Sequence, residues 1–226
     1  MIVEPRSVDG VPLKEWKKTE EAFGRPANGR PMVRPARSED VYGYVEVLVR
    51  AFPDKFKAIF GDDANAAAGS IVDHYRPLDR YPGHYVAAHG AEIHGVLHLA
   101  TTEGGRPGWK GMLPFVRRLG IPRGLRAVIA LSILGSRVKP DEAYVAHLAV
   151  DPGLHRQGLG AMLLQYAEQR ARILGKARLT LYVAGGNDAA RGLYLTRGFR
   201  LVKTDKSEIT RRLVGIGLWD YMIKDL

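Results

Sequence analysis

The sequence predicts an α/β fold with a mixed sheet. Its C-terminal half alternates between strand-like and helix-like segments, which is the pattern of this class. Its N-terminal half has an amphipathic helix pattern followed by two neighbouring strand-like runs. The chain has 226 residues, of which 46% are hydrophobic and 26% charged, so it is long enough for one sizeable core and has the composition of a globular protein.

Composition divides the chain into parts. Residues 1–31 are rich in proline, glycine and charge, so we expect a loosely attached extension with one short helix near Leu13–Phe23. Residues 32–226 are expected to form the main domain, with a basic insertion at 105–140. From Arg106 to Lys139 there are eight basic residues and no acid. A solvated face is the simplest interpretation, and an anion-binding rim and a membrane-surface segment are the alternatives.

The first regular elements follow the extension. Val33 marks a short strand, and Ser38 is expected to cap a helix that Pro53 stops. Residues 62–76 are a weaker helix candidate. The stripe of the first helix recurs at intervals of three and four residues and consists of Val41, Tyr44, Val45, Leu48, Val49 and Phe52.

Two strand-like runs come next, Tyr85–Ala88 and Glu92–Ala100. The short segment 89–91 between them contains a glycine and predicts an antiparallel hairpin. In a regular strand His94 and His98 would share one face about 13 Å apart, which is too far for one metal ion. We therefore expect no metal site.

The C-terminal half has the most regular pattern. A buried stripe runs along its long helix, and Gly175 suits the left-handed position just after the end of that helix. The expected elements are strand Tyr144–Val150, helix Gly158–Leu174, strand Arg178–Val183, helix Asp188–Thr196, strand Phe199–Val202 and a last strand near Leu213–Ile223.

The segment Leu148–Ala161 carries the strongest chemical signal. A strand ends at Val150 and a glycine-containing loop opens directly into the long helix, so successive backbone N–H groups lack carbonyl partners and point the same way. Such a loop is suited to a diphosphate. Gly158 and Gly160 allow close approach, and Arg156 adds positive charge at the rim.

A second group of residues surrounds the next helix. Asn187 is a good N-cap, Ala190 and Tyr194 fall on one face of the helix, and Gly198 ends it. Tyr194 taken alone is also compatible with a packed core aromatic. Its combination with the phosphate-type loop favours a role in a site.

Other signals exclude several classes. Without cysteine there is no disulfide, thiolate zinc site or catalytic thiol. Leu163 stands at the third glycine position of a dinucleotide fingerprint, and no Gly-Lys-Ser/Thr occurs, so NAD and nucleoside triphosphates held in those ways are not expected. No apolar run reaches the roughly 18 residues of a membrane span. Residues 1–10 lack a secretory pattern, so we expect a cytoplasmic protein.

The quoted residues resemble the GNAT superfamily of acetyl-CoA-dependent N-acetyltransferases. The resemblance is strong over residues 144–202, looser over 33–100 and absent over 1–31. One departure is His155, where the family usually has arginine or glutamine. The resemblance rests on the strand 148–152 and on Gln157, Gly158, Leu159, Gly160, Ala161, Asn187, Ala190, Leu193, Tyr194, Gly198 and Phe199.

The resemblance implies a mostly antiparallel central sheet flanked by helices, with the strand at 144–150 splayed from its neighbour. It also implies direct transfer of an acetyl group from acetyl-CoA to a primary amine in a ternary complex, without a metal. A backbone N–H near Leu148 or Val150 would stabilise the oxyanion, and Tyr194 would protonate the departing thiolate. The implied cofactor-binding residues are Leu148, Ala149, Val150, His155, Arg156, Gln157, Gly158, Leu159, Gly160, Ala161, Asn187, Ala190 and Tyr194.

The general base and the acceptor stay open. Tyr144 lies at a strand position that carries a base in some family members, and Glu142 lies at the entrance of the same strand. We expect a water relay near one of them, while His147 should face the other side by alternation. The resemblance implies an acceptor pocket between the loop after Phe52 and the segment Lys203–Arg212.

Several partners and alternatives are compatible with the sequence. The acceptor is expected to be an amine of a small molecule or a peptide, and a homodimer could form through the last strand or the basic insertion. A non-catalytic acyl-CoA-binding regulatory module is the competing function. The net charge of +10 suggests an anionic partner, but no nucleic-acid recognition motif is present, so no specific nucleic acid is expected.

Overall fold

A computed structural model of the chain describes residues 7–8, 11–12, 31–60, 68–69, 71–73, 81–102 and 138–226. The predicted helix Leu13–Phe23 and the basic stretch 106–137 lie outside these residues. Residues 68–69 and 71–73 are helical, and the other residues of the helix predicted at 62–76 also lie outside the described part.

The described elements follow one another from the N-terminus. Short 3₁₀ turns at Ser38–Asp40 and Pro152–Leu154 precede α1 and α3. The strands and α-helices are β1 (Ser7–Val8), β2 (Val11–Pro12), β3 (Met32–Pro35), α1 (Val41–Ala51), α2 (Pro53–Phe60), β4 (His84–His89), β5 (Glu92–Ala100), β6 (Glu142–Val150), α3 (Leu159–Ile173), β7 (Arg178–Ala184), α4 (Asp188–Thr196), β8 (Arg200–Lys206), α5 (Glu208–Val214) and β9 (Leu218–Asp225).

Seven strands form the main sheet in the order β3-β4-β5-β6-β7-β9-β8. Every neighbouring pair is antiparallel except β6 and β7, which are parallel. The mixed, mostly antiparallel sheet is therefore confirmed, as is the β4–β5 hairpin. Gly90 makes the tight turn of that hairpin with φ of 63°.

Helices cover both faces of this sheet. On one face α3 packs through Leu163, Tyr166 and Ala167 against the inward residues of β5, β6 and β7. On the opposite face α1 packs through Tyr44 and Leu48 against β4 and β5. The buried stripe predicted for α3 is thus the side that faces the sheet. Part of the stripe predicted for α1 faces elsewhere, since Val41, Val45 and Val49 cluster with Val72.

Three predicted element ends are wrong. The strand predicted at Phe199–Val202 continues to Lys206 as β8. Ser38 does not cap α1; it begins a 3₁₀ turn, and the carboxylate of Asp40 accepts the N–H of Arg37 at 2.7 Å instead. The strand expected near Leu213 starts later, because Ser207 caps the short helix α5 by accepting the N–H of Thr210 at 3.2 Å.

Pro53 ends α1 as predicted, but it also begins α2. Proline suits the first position of a helix, since the N–H that it lacks would have no partner there. The segment after Phe52 is therefore a helix that the sequence analysis treated as a loop.

A buried ion pair fastens β3 to the start of α1. The two guanidinium nitrogens of Arg34 lie 2.5 and 2.7 Å from the carboxylate oxygens of Asp40, which is 3% exposed. The hydrogen bond to Asp40 raises the pKa of Arg34. Because both charges are buried, each depends on the other for compensation.

Asp40→Asn should lower the free energy of unfolding by about 3 kcal/mol, because it leaves the buried guanidinium of Arg34 without its counter-charge. The matched control is Glu39→Gln in the neighbouring exposed ion pair with Arg37, which should change stability by less than about 0.5 kcal/mol. Urea unfolding measures both. Equal effects of the two substitutions would contradict the assignment.

Candidate active site

The centre of the site is the place where β6 and β7 part. Their parallel ladder runs from Glu142 opposite Arg178 to Val145 opposite Leu181 and stops there. Both strands continue, β6 to Val150 and β7 to Ala184. The predicted splay of the strand is thus confirmed, and backbone groups of β6 beyond Val145 have no partner in β7.

A β-bulge lies at the same point of β6. In the ladder with β5, His98 pairs with His147 and Leu99 pairs with Val145, so Ala146 is the extra residue. Val145 packs on the α3 side of the sheet, whereas His147 Nε2 lies 2.6 Å from the hydroxyl oxygen of Tyr44 on α1. The bulge interrupts the alternation of side chains along β6. The prediction that His147 points to the side of the sheet opposite to Tyr144 is therefore wrong.

A cavity of about 390 Å³ opens between the parted strands. Four predicted site residues line it, namely Leu148, Asn187, Ala190 and Tyr194. The sequence analysis did not assign the other polar and aromatic side chains that line this cavity, including Asp54, Lys55, His147, Tyr182 and Trp219.

Tyr194 is held in a fixed position by the core. Its side chain is 8% exposed and its ring centroid lies 5.7 Å from that of Phe199. Burial raises the pKa of Tyr194 to about 12, and the nearby Tyr144 adds to the rise. The hydroxyl therefore keeps its proton throughout the neutral range and can act as a proton donor.

Glu142 lies away from this cavity. Its carboxylate, at the start of β6, is buried and lies 3.2 Å from the ammonium of Lys139. Neither Glu142 nor Tyr144 is among the residues that line the cavity. Tyr144 is nonetheless close enough to act electrostatically on Tyr194.

The side chain of Asn187 makes one hydrogen bond that caps a helix, and its NH₂ group is a second hydrogen-bonding group. Its side-chain oxygen accepts the N–H of Ala190 at 3.1 Å, which confirms its role as the N-cap of α4. Within the described part of the chain its side-chain NH₂ group donates to no acceptor. This group is therefore available to a ligand in the cavity.

The loop before α3 has the features expected of an anion site. Among the described residues, the N–H groups from Arg156 to Ala161 donate to no acceptor, and residues 155–158 are exposed. Gly158 caps the helix with φ of 82°, and Arg156 is also left-handed with φ of 62°. A side chain at Gly158 would be strained in this conformation.

Two side chains hold this loop in place. Asp151 accepts the N–H of Gly153 at 2.9 Å and pairs with Arg50 on α1 at 2.9 Å. His155 Nε2 lies 3.2 Å from the carbonyl oxygen of Val150. The residue that departs from the family pattern thus connects the loop to the end of β6.

Three histidines, called here the histidine stack, lie together beside Tyr44 on the α1 side of the sheet, and the rings of His84 and His98 are nearly parallel, with an interplanar angle of 14°. The rings of His84 and His98 lie 3.9 Å apart, and those of His98 and His147 lie 5.3 Å apart. Burial, together with His84 and Lys55, lowers the pKa of His147 to about 3. Burial and the other two histidines lower the pKa of His98 well below its usual value.

The histidine stack comes from three different strands, so sequence spacing could not reveal it.

A second bulge makes His94 the extra residue between Ile93 and Gly95 of β5, so the regular strand assumed for His94 and His98 does not hold. Within the described residues, no group of three or more possible ligands is arranged to hold a metal ion.

The residues that line the cavity agree only in part with those expected around an acceptor pocket. Phe52 and Lys55 form one wall, as expected of the segment after α1. The opposite wall is the turn Val214–Ile216 with Trp219, rather than the segment Lys203–Arg212. The exposed charges of α5 pair with each other instead, as Glu208 does with Arg211 at 2.6 Å.

Residues 46–199 match the Acetyltransferase (GNAT) family. The chain belongs to this family. This GNAT protein is 35% identical over 65 residues to GCN5-related N-acetyltransferase 6, chloroplastic, of Arabidopsis thaliana, a match that covers 29% of this chain and 23% of that one. It is 41% identical over 64 residues to the [Ribosomal protein bS18]-alanine N-acetyltransferase of Salmonella typhimurium, which covers 28% of this chain and 43% of that enzyme.

Each of these matches therefore spans less than half of the relative. A similar solved structure is the PaiA N-acetyltransferase of Thermoplasma acidophilum in complex with coenzyme A, with a TM-score of 0.51 and 16% identity. The alignment covers 86% of this chain and 98% of that one. At this identity the likeness shows that the fold is shared. Among the described residues, no helix has the length and apolarity needed to cross a membrane.

The histidine stack predicts a stability that depends on pH. His98 and His147 are neutral in the folded protein, whereas the unfolded chain protonates them below about pH 6.5. The unfolded state then binds more protons, so the free energy of unfolding falls as the pH decreases from about 7 to about 5, by up to about 2 kcal/mol per histidine.

His98→Asn should remove one histidine's share of this pH dependence, and His89→Asn, at an exposed position of β4, should leave it unchanged. Urea unfolding at several pH values compares the slopes. A His98→Asn slope parallel to that of the wild type would show that the stack does not stay neutral.

Proposed function

We propose that this GNAT-family protein is an N-acetyltransferase that transfers an acetyl group from acetyl-CoA to a primary amine within a ternary complex. The observation that carries the proposal is the cavity between the parted ends of β6 and β7, with the buried and protonated Tyr194 in its wall. We assign the activity to residues 32–226.

The residues present fit coenzyme A. The free N–H groups of residues 156–161 at the start of α3 match a diphosphate, and the side chain of Arg156 can add charge. The backbone of β6 at Leu148 and the N–H of Val150 have no partner in β7. They suit the amides of the pantetheine arm, which would be bound as an added strand. Asn187 would donate to the same arm. Bound acetyl-CoA supplies the acetyl thioester.

His155 and Ala149 take indirect roles in this proposal. The ring of His155 fastens the loop to Val150, and the side chain of Ala149 packs on the α1 side of the sheet. The backbone of Ala149 pairs with Val96 of β5, so Ala149 would contribute only as the spacer between Leu148 and Val150. Leu159 is the first residue of α3 and its side chain is buried, so its backbone N–H is the group that would face the phosphates.

The reaction needs two proton transfers, and residues of the cavity would take part in both. As the amine nitrogen bonds to the acetyl carbon and the carbon–sulfur bond breaks, Tyr194 would give its hydroxyl proton to the sulfur. The amine must lose a proton before attack. Asp54, exposed at the cavity, is the one carboxylate among the described lining residues, so we place the water relay there rather than at Glu142 or Tyr144.

Calorimetry with coenzyme A and acetyl-CoA tests the cofactor. Both should bind, and pantetheine, which lacks the diphosphate, should bind about 100-fold more weakly or worse. Thiol release from acetyl-CoA should then appear with some member of a panel of small amines and peptides. The panel includes peptides with an N-terminal alanine, because the Salmonella relative is named for alanine acetylation. Binding without thiol release would favour the non-catalytic module.

Tyr194→Phe should lower kcat by about 100-fold or more, because the departing thiolate loses its proton donor. The affinity for coenzyme A, measured by calorimetry, should stay within about twofold of the wild type if the hydroxyl acts mainly on the departing sulfur.

Two controls accompany this substitution. Tyr42→Phe removes a hydroxyl from a side chain that is 60% exposed on α1, and Glu142→Gln removes the carboxylate outside the cavity. Both should keep kcat and its pH profile. If Tyr194→Phe retains the full rate, another group protonates the thiolate.

A further inference from the structure

Lys55 is a charged residue in the wall of the cavity, and the described residues supply no ion-pair partner for it. Its ammonium lies 4.7 Å from the ring centroid of Phe52 and 5.8 Å from that of Trp219. Among the described residues no carboxylate lies within 4.0 Å of it. Burial lowers the pKa of Lys55, so the protein offers this ammonium less stabilisation than water does.

Neighbouring aromatic side chains lie against the ammonium of Lys55, which lines the cavity. The indole N–H of Trp219 donates to the hydroxyl of Thr210 at 2.9 Å, which fixes the ring beside the ammonium. Cation–π contacts with two rings offset only part of the hydration that the ammonium loses on burial. An anion in the cavity would supply the remainder.

The other charges near the cavity do not serve this purpose. Asp54 is exposed, and Asp205, which accepts a hydrogen bond from Tyr182, is already paired with Lys203 at 2.7 Å. His147 is neutral. Asp54 also lines the cavity, but it is exposed, so water screens its charge more than it screens the half-buried ammonium of Lys55.

The phosphates of coenzyme A are not the missing anion. Their proposed site is the loop at residues 156–161, and none of these residues lines the cavity. Lys55 lies on α2, in the wall assigned to the acceptor. Among the described residues nothing else supplies an anion for Lys55, which favours an anionic group on the acceptor.

We propose that Lys55 binds an anionic group of the acceptor, so that the preferred substrates are small amines that also carry a carboxylate or a phosphate. This inference rests on the proposed acetyltransferase function and narrows its substrate class. The cavity of about 390 Å³ must also admit the thioester end of acetyl-CoA, which favours a small acceptor. Polyamines and aminoglycosides, which bring further positive charge, should be poor substrates.

Matched acceptors test the proposal. Alanine is compared with alaninamide, and O-phosphoethanolamine with ethanolamine, so that each pair differs in the anionic group. The protein should show a higher kcat/KM for the anionic member of at least one pair, and the better pair identifies the kind of anion.

Lys55→Met should reduce this preference by about 10- to 100-fold, mainly through KM, because it removes a charged hydrogen-bond donor without removing much volume. Lys55→Arg should retain most of the preference and shows that the charge, rather than the fold, is responsible. Lys57→Met, exposed on the same helix and outside the cavity, should behave as the wild type.

A binding measurement separates this inference from the proposed function. N-acetylalanine and N-acetylalaninamide are titrated into the complex with coenzyme A, which requires no turnover. Tighter binding of the acid to the wild type than to Lys55→Met supports the inference even if no amine is acetylated, a result that would refute the proposed function alone. Equal binding of the acid and the amide, or a preference that survives in Lys55→Met, would overturn the role of Lys55.

Discussion

The parting of β6 from β7 after the pair Val145 and Leu181 is the constraint on which the site depends. Unpaired backbone groups are costly when they are buried and dry, so a strand that leaves its neighbour needs water or a ligand along the open edge. β6 remains held on its other side by β5 as far as Val150. The opening therefore creates a binding edge without detaching the strand from the sheet.

The bulge at Ala146 sets the chemistry of that edge. One residue is inserted into β6 but not into β5. The side chains that follow it therefore point to the face of the sheet opposite to the one that regular alternation would give them. His147 is brought to the stack with Tyr44, His84 and His98, and at the same time it borders the cavity. A one-residue irregularity thus decides which titratable group the strand presents.

Charge is distributed unevenly between the two ends of the site. The loop at the start of α3 offers backbone N–H groups to a diphosphate, and Lys55 offers a partly desolvated ammonium on the acceptor side. Between them Tyr194 and His147 are both neutral at physiological pH. Under the two proposals made above, such a site would bind anionic groups at both ends, with a neutral proton donor between them.

Local sequence patterns were sufficient for the elements whose signals are short in range. The caps Asn187 and Gly175, the hairpin at Gly90, the stripe of α3 and the glycine loop at Gly158 follow from the preferences of single residues or from one helical period, and the structure has them at those positions. The bulge at Ala146 and the histidine stack depend on contacts with other strands. The surroundings of Lys55 depend on residues more than forty positions away. No local pattern contains any of these features. Register and charge pairing are properties of neighbours in space, and the packed fold alone supplies those neighbours.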